Sequence, residues 1–301
     1  MRIGLVDLDT SHPGEFVPIV RALGHEVVGV VDGGTVWDRG YAHEFAARHG
    51  IPHVFGSCAE LAAEVDAAFL HGCDWDARVE RAAPFAEAGV ALLVDKPFGG
   101  DTATIRTLLE WERGGLRVTG GSSLRWCAEV AGFAAGGERP HFALTGCSGD
   151  PFDYGIHAYS MLHGLLGPGV VAARHLGGYG QQRVELRWSD GRTGMVSVGE
   201  TAERHPFHAT VLTGSSVTHL TAAPGGLYAS FLAAVLPGLA GEAPLPPLPE
   251  LVEPELAALA ALMSERDGGR WVALDEPALD TVRYDGAGFA ARYRAARRGT
   301  A

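Results

Sequence analysis

Over residues 2–121, short runs of consecutive apolar residues alternate with longer stretches whose apolar positions recur every three or four residues. The runs at 3–8, 26–31, 66–71, 90–94 and 116–119 predict strands, and the stretches 13–23, 37–49, 75–88 and 101–113 predict helices between them. The run Val90-Ala-Leu-Leu-Val94 has no polar alternation, which fits a strand covered on both faces. Strands that take turns with crossover helices build a doubly wound, Rossmann-like parallel sheet.

The rhythm changes after Gly120-Gly121. A helix is expected near 126–133, a strand at 141–145, and a second helix at 155–166 that Gly167-Pro168 stops. Strand-like runs follow at 170–175, 183–188, 193–198, 208–212 and 217–220, with turn residues between them, which predicts an open, largely antiparallel sheet. Helices at 227–236 and 254–265 flank a proline-rich linker at 244–249, and a short strand at 271–274 closes the pattern. The fold class is therefore α/β, with a Rossmann-like domain over 1–121 and an α+β domain over 122–301.

Composition narrows the function classes. At 301 residues and 47% hydrophobic content the chain can bury a large core. The formal charge of -12, from 24 basic and 36 acidic residues, argues against nucleic acid and against an anionic membrane surface as partners. The one basic patch, Arg292, Arg294, Arg297 and Arg298, sits where a helix C-terminus attracts cations. Cys58, Cys73, Cys127 and Cys147 are scattered without a C-x-x-C, so neither a disulfide framework nor a zinc knuckle is suggested. The chain opens directly on a strand pattern with no leader, and no apolar stretch approaches membrane-spanning length, so a reduced cytoplasmic setting is expected.

A turn between a first strand and a first helix is where a dinucleotide-binding sheet carries G-x-G-x-x-G. Here those positions read Asp7, Asp9 and His12. Two carboxylates thus stand where a pyrophosphate would approach, and unit charges about 4 Å apart at a surface-like dielectric repel by roughly 4 kcal/mol. What still favours an anion is the helix start, with Ser11 or His12 as cap, Pro13 at the first helical position, and the Thr10 and Ser11 hydroxyls. The second strand ends at Asp32, where a carboxylate accepts both ribose hydroxyls and repels a 2′-phosphate, favouring NAD over NADP, with Arg39 able to shift that balance. Asp32 could equally open the turn Asp32-Gly33-Gly34. A metal site from Asp7, Asp9, His12 and His71 is the other reading of the turn, on a spacing that is not diagnostic.

Lys96 is the only lysine in the chain; the other 23 strongly basic residues are arginine. A genome that prefers arginine codons accounts for the bias but not for the survivor's place at a strand end. An ammonium, unlike a guanidinium, readily trades a proton with a bound hydroxyl. Asp153 and His157 are four apart, on one helix face if the helix begins near Asp153, and a carboxylate beside an imidazole orients the ring for general base work. Taken alone, the pair reads first as an N-cap and a satisfied, half-buried histidine, and Lys96 at a strand's carboxyl end is what turns the reading toward chemistry.

With these residues in view, the chain resembles the Gfo/Idh/MocA family of oxidoreductases, the group of glucose-fructose oxidoreductase and myo-inositol dehydrogenase. Asp95-Lys96-Pro97 matches the family's E-K-P, Asp153 to His157 its D-x-G-x-H, and Leu124-Arg125-Trp126 its Arg-aromatic pair. Three departures stand out: Asp95 for glutamate, Ser160 for the aspartate of H-x-x-D, and the turn Leu8-Asp9-Thr10-Ser11-His12. The resemblance implies a dinucleotide-binding first domain and a second domain for substrate and oligomerisation. It implies Lys96, Asp153 and His157 as the catalytic set, with His157 taking a hydroxyl proton, Lys96 donating to the oxygen and Asp153 orienting His157. Asp9, Thr10, Ser11, His12, Asp32, His71 and Lys96 are the cofactor-binding candidates. Arg125, Trp126, Tyr154 and His163, with Trp75 and Tyr159, are the substrate-pocket candidates. The implied cofactor is NAD, with NADP possible, the substrate a sugar, cyclitol or related polyol, and the assembly a homodimer or homotetramer. Two other readings remain: a lyase or epimerase using tightly bound NAD, and a non-redox ligand-binding or regulatory protein on a dehydrogenase scaffold.

Overall fold

The computed structural model describes residues 1–38 and 40–299, so Arg39 lies outside the described residues. The first half of the chain runs β1 (Arg2–Val6), α1 (His12–Ala22), β2 (Glu26–Val31), α2 (Tyr41–His49), β3 (His53–Val54), α3 (Cys58–Ala62), β4 (Ala67–Leu70), α4 (Arg78–Glu87), β5 (Ala91–Asp95), α5 (Thr102–Arg113) and β6 (Val118–Gly121). The second runs α6 (Ala128–Ala135), β7 (Phe142–Ser148), α7 (Gly155–Leu166), β8 (Val170–His175), β9 (Gln182–Trp188), β10 (Thr193–Gly199), β11 (His208–Leu212), β12 (Val217–Thr221), α8 (Leu227–Leu239), α9 (Leu248–Leu251), α10 (Glu253–Arg266), β13 (Val272–Ala273) and α11 (Gly286–Arg298).

The chain forms two compact units. One is Met1–Gly120 with Leu232–Leu248 and the C-terminal segment from Asp285; the other is Gly121–Phe231 with Pro249–Tyr284. A division into 1–121 and 122–301 does not capture the two returns of the chain to the first unit. Side chains of that unit explain them: Phe289 of α11 packs on Trp75 with centroids 5.0 Å apart, Asp76 accepts the N–H groups of Gly286 and Ala287, and Glu112 accepts that of Leu248.

The first unit holds a six-stranded sheet in the order β3-β2-β1-β4-β5-β6, with the β1–β2, β1–β4, β2–β3 and β4–β5 pairs parallel. Every residue of β4 and β5 is buried, as the unbroken apolar runs predict. The order reverses between β1 and β4, and in open α/β sheets the crevice at the carboxyl ends beside such a switch is where ligands bind. Gly120 lets β6 approach β5: a Cβ there would stand 1.9 Å from the Val94 carbonyl oxygen. Strand β3 is two residues long, too short for any hydrophobic period to announce it. The sequence did carry a sign of α3: Ser57 caps the helix by accepting the Glu60 N–H, and Glu60 reaches back to the N–H of Gly56, a variant of the capping box that S-x-x-E spells. Helix α2 begins at Tyr41 rather than near Trp37, whose indole instead donates to the Leu8 carbonyl.

The second unit holds a seven-stranded sheet in the order β12-β11-β7-β10-β9-β8-β13. It is antiparallel except for the central β7–β10 pair, which is parallel. Helix α7 is buried on nearly every side against β7 and β10, so its apolar sequence lacks the polar stripe of a surface helix. The proline stretch at 244–249 runs into the short α9. Among the described residues no helix is long and apolar enough to cross a membrane.

Candidate functional site

Chemistry-bearing side chains gather in each unit, and each group is built by its own unit. In the first, the carboxyl ends of β1, β2, β4 and β5 present Asp7 to His12, Asp32, His71, and Asp95 with Lys96. The two aspartates of the first turn point away from an anion site. Asp7, at φ 62°, accepts the Gly33 N–H at 2.8 Å and pairs with Arg81 of α4 at 2.6 Å. Gly33 has to lack a side chain for this, since a Cβ there would fall 1.6 Å from the Arg81 guanidinium. Asp9 is 1% exposed, and one of its oxygens accepts the Cys73 N–H at 2.9 Å while the other has no partner. Burial, reinforced by the Asp7 carboxylate, pushes its carboxyl up to about 6. Asp9 is thus a buried strut and not the cofactor contact the sequence suggested.

Asp32 accepts the Leu8 N–H at 3.3 Å, and burial followed by Asp7 raises its carboxyl above the usual range. It therefore ties the first turn to the end of β2, while the bond from the Gly34 N–H, which lowers its carboxyl, belongs to the Asp32-Gly33-Gly34 turn. Ser11 caps α1 without a side-chain cap bond, and Thr10 Oγ1 accepts the His12 N–H at 3.2 Å.

Asp95 is the hub of this edge. Its Oδ2 lies 2.5 Å from His12 Nδ1 and 3.0 Å from His71 Nδ1, and its Oδ1 accepts the Lys96 N–H at 2.8 Å. Burial alone would raise its carboxyl, but the two imidazoles outweigh that and hold it well below the usual range. His71 is fully buried, which lowers its ring below the usual histidine value against the pull of Asp95. With its Nε2 buried and unpartnered, His71 supports Asp95 and is a poor candidate for direct cofactor contact. Arg78 ties the strand ends together by donating to the carbonyls of Leu70, Gly72 and Pro97. Lys96 is half-buried, and the Lys96–Pro97 bond is cis. Of the four metal candidates, Asp7 turns to Gly33 and Arg81, Asp9 to Cys73, and His12 and His71 both to Asp95, and among the described residues no group of three or more His, Cys, Asp or Glu is placed to hold a metal ion.

In the second unit, Ser122 Oγ lies 2.7 Å from His157 Nδ1 and also accepts the Leu124 N–H at 3.1 Å. The sequence did not flag Ser122; a serine two residues before an amide it caps at a strand end was the available signal. Helix α7 starts at Gly155, so Asp153 lies in the turn that leads into it. Asp150 caps that turn, its Oδ1 accepting the N–H groups of Phe152 and Asp153. Tyr154 lies 6.2 Å from the His157 ring, Phe207 lies 5.0 Å from it, and Arg204 lies over Tyr154.

The remaining pocket candidates are engaged in packing. His163 is buried between Arg125, which donates to Nδ1, and Glu253, 2.9 Å from Nε2. An arginine donor at Nδ1 places the ring proton on Nε2, and burial lowers the ring below the usual histidine value. Glu253 also accepts the N–H groups of Gly169 and Val170, so Arg125 and His163 belong to a network that fixes the end of α7. Trp126 lies 5.4 Å from the Arg125 guanidinium with its indole nitrogen buried and unpartnered. Trp75 and Tyr159 are core residues.

No family model matches the chain. Over 100 residues it is 35% identical to trans-1,2-dihydrobenzene-1,2-diol dehydrogenase of Oryctolagus cuniculus, a match that spans 32% of the chain and 29% of that protein. Solved structures match over nearly the whole length. A probable dehydrogenase from Thermotoga maritima has a TM-score of 0.79 at 16% identity, covering 92% of this chain and all of that one. Myo-inositol dehydrogenase from Lactobacillus casei, in complex with NAD(H) and myo-inositol, has a TM-score of 0.75 at 14% identity, covering 93% of this chain and 99% of that one. The chain has the fold of these Gfo/Idh/MocA-type dehydrogenases.

Proposed function

We propose that this chain, built on the Gfo/Idh/MocA dehydrogenase fold, is a nicotinamide-dependent oxidoreductase acting on a secondary hydroxyl or ketone of a sugar, cyclitol or related polyol. The observation that carries the reading is the sole lysine, Lys96, at the carboxyl end of β5 beside the sheet's switch point. A fold neighbour holds NAD(H) and myo-inositol in its own structure. The residues present fit a dinucleotide: the Asp7 and Asp9 carboxylates, which would repel a pyrophosphate, are turned inward onto Gly33, Arg81 and Cys73. Thr10, Ser11 and His12 remain to hold the diphosphate, and the Asp32 carboxylate favours NAD, with NADP possible.

When bound, the nicotinamide ring would accept or supply the hydride. Lys96 donates to the substrate oxygen and steadies the charge that develops on it. His157 accepts the hydroxyl proton, which requires an unprotonated Nε2 and a proton on Nδ1. Ser122 Oγ, with two lone pairs, can take that Nδ1–H as well as the Leu124 N–H, so it sets the tautomer a base needs. A cytoplasmic homodimer or homotetramer without a nucleic-acid partner completes the reading.

The test is a screen of polyols and sugars with NAD, followed by nicotinamide absorbance, on the wild type and Lys96→Arg. We expect NADH with at least one polyol and a turnover at least about 100-fold lower in the variant at unchanged stability. Equal turnover in the variant removes Lys96 from the reaction. Conversion of substrate without net NADH points to transient oxidation by a tightly bound cofactor.

A further inference from the structure

In the second unit, residues 200–207 join β10 to β11 and lie beside the carboxyl ends of the parallel pair β7–β10. Ser148, the last residue of β7, holds this segment in place. Its Oγ accepts the His205 N–H at 2.6 Å and lies 2.7 Å from Thr201 Oγ1. The segment brings two side chains toward the proposed base. Phe207 meets the His157 ring edge to face, with centroids 5.0 Å apart. Arg204 lays its guanidinium 4.6 Å from the centroid of Tyr154, whose ring is in turn 6.2 Å from that of His157. Gly149 makes room for this arrangement, since a Cβ there would fall 2.6 Å from the Tyr154 ring. Ser148, Tyr154, Glu200, Thr201 and Arg204 line a pocket of about 330 Å³, a volume that suits a small ligand.

We propose that Arg204 anchors the substrate of this site, and that the polyol it selects is a sugar acid whose carboxylate takes the guanidinium while a secondary carbinol meets His157. The inference rests on the reading of His157 as the base and narrows the substrate class of that same site. Among the described residues the Arg204 guanidinium has no hydrogen-bond acceptor and no ion-pair partner; it rests on the face of Tyr154. Stacking uses the plane of a guanidinium and leaves its edge, where all the N–H donors lie, for an acceptor. A fork of that shape matches two oxygens of a carboxylate or of a phosphate.

Glu200, on the same pocket, decides between the two. Its carboxylate can accept from a sugar hydroxyl and balances the charge of Arg204. A singly charged carboxylate is then tolerated, whereas a phosphate ester, with about two negative charges near neutral pH, is repelled more strongly by Glu200. The hydroxyls of Ser148 and Thr201 add donors and acceptors of the kind a polyol chain uses.

The experiment presents the full chain with the sugar acids glucuronate, galacturonate and gluconate, with their neutral counterparts glucose, galactose and glucitol, and with glucose bearing a terminal phosphate. Low ionic strength is used, because Arg204 is exposed and salt screens it. Affinity is read by calorimetry with NADH present, so that no turnover intervenes, and turnover is read as NADH formed from NAD, on the wild type and Arg204→Gln. The wild type should bind at least one acid about tenfold or more tightly than its neutral counterpart and than the phosphate. Arg204→Gln should lower that preference by at least about tenfold, through KM and not kcat, with unchanged unfolding. No binding of any acid, acid and neutral sugar bound alike, a phosphate bound better than every acid, or a preference that survives Arg204→Gln overturns the inference; NADH from a neutral polyol then leaves the proposed function standing. Arg204-dependent binding of an acid with no NADH from any probe upholds the carboxylate site and counts against the proposed function.

Discussion

Replacing Asp9 with asparagine should stabilise the protein in alkaline solution and not in acid. Asp9 is buried, bonded at one oxygen only, and neighboured by Asp7 and Asp32, and its carboxyl is pushed from 3.8 to about 6. A raised carboxyl favours the folded state while it is protonated. The benefit is complete below the unfolded value of 3.8 and is lost as pH rises through about 6. The shift of about two pH units corresponds to roughly 3 kcal/mol once Asp9 is fully ionised. Asparagine keeps an oxygen for the Cys73 N–H but places an amide N–H group where the second oxygen had no partner, which costs about 1–2 kcal/mol. The net gain at pH 8 should then be about 1–2 kcal/mol. The more secure quantity is the difference between conditions, because the orphan amide cancels: the variant's advantage should grow by about 2 kcal/mol between pH 4.5 and pH 8. Urea unfolding of both proteins across that range measures it. Parallel curves would mean that Asp9 titrates alike in the folded and unfolded chain, and the account of the turn as a crowded carboxylate cluster would fail.

Gly120→Ala should destabilise by more than about 3 kcal/mol, since its Cβ would stand 1.9 Å from the Val94 carbonyl oxygen at φ 143°; thermal unfolding matching the wild type would contradict the close β5–β6 approach. Ser122→Ala should cost about 1–3 kcal/mol through the lost bonds to His157 and the Leu124 N–H, and should lower turnover with a shifted pH profile; rescue by Thr would tie both effects to the hydroxyl. The four thiols are buried, and burial raises Cys58 and pushes Cys127 up to about 11, so thiol reagents should label all four only on unfolding; prompt labelling of Cys127 in the native protein would refute its placement.

Elements with strong periodicity or unbroken apolar runs were legible in the sequence: the strand at Glu26–Val31, the helix at Gly155–Leu166 and the strands at Val170–His175 and His208–Leu212 lie where the pattern puts them. The two-residue β3 has no period to read, and the parallel β7–β10 pair depends on connection paths that periodicity does not encode. Site chemistry was legible as residue types and less so as roles. Lys96, His12 and His157 stand out by kind and spacing, but Asp7 and Asp9, read as facing a pyrophosphate, prove to be struts, and Asp32, read as a ribose acceptor, also holds the first turn, because backbone N–H groups and Arg81 compete for these carboxylates. Partners such as Arg81, Asp95 and Ser122 are set by tertiary proximity, with sequence separations of 74, 83 and 35 from the side chains they bind.

The central claim is that a turn without glycines still receives a nicotinamide dinucleotide. Its most direct test is calorimetric titration of the purified protein with NAD, NADH, NADP and NADPH, after its absorbance spectrum has been checked for carried-through cofactor. The account predicts micromolar binding, tighter for NAD or NADH than for the phosphorylated pair. Absence of binding by all four, with no cofactor already in place, would contradict it.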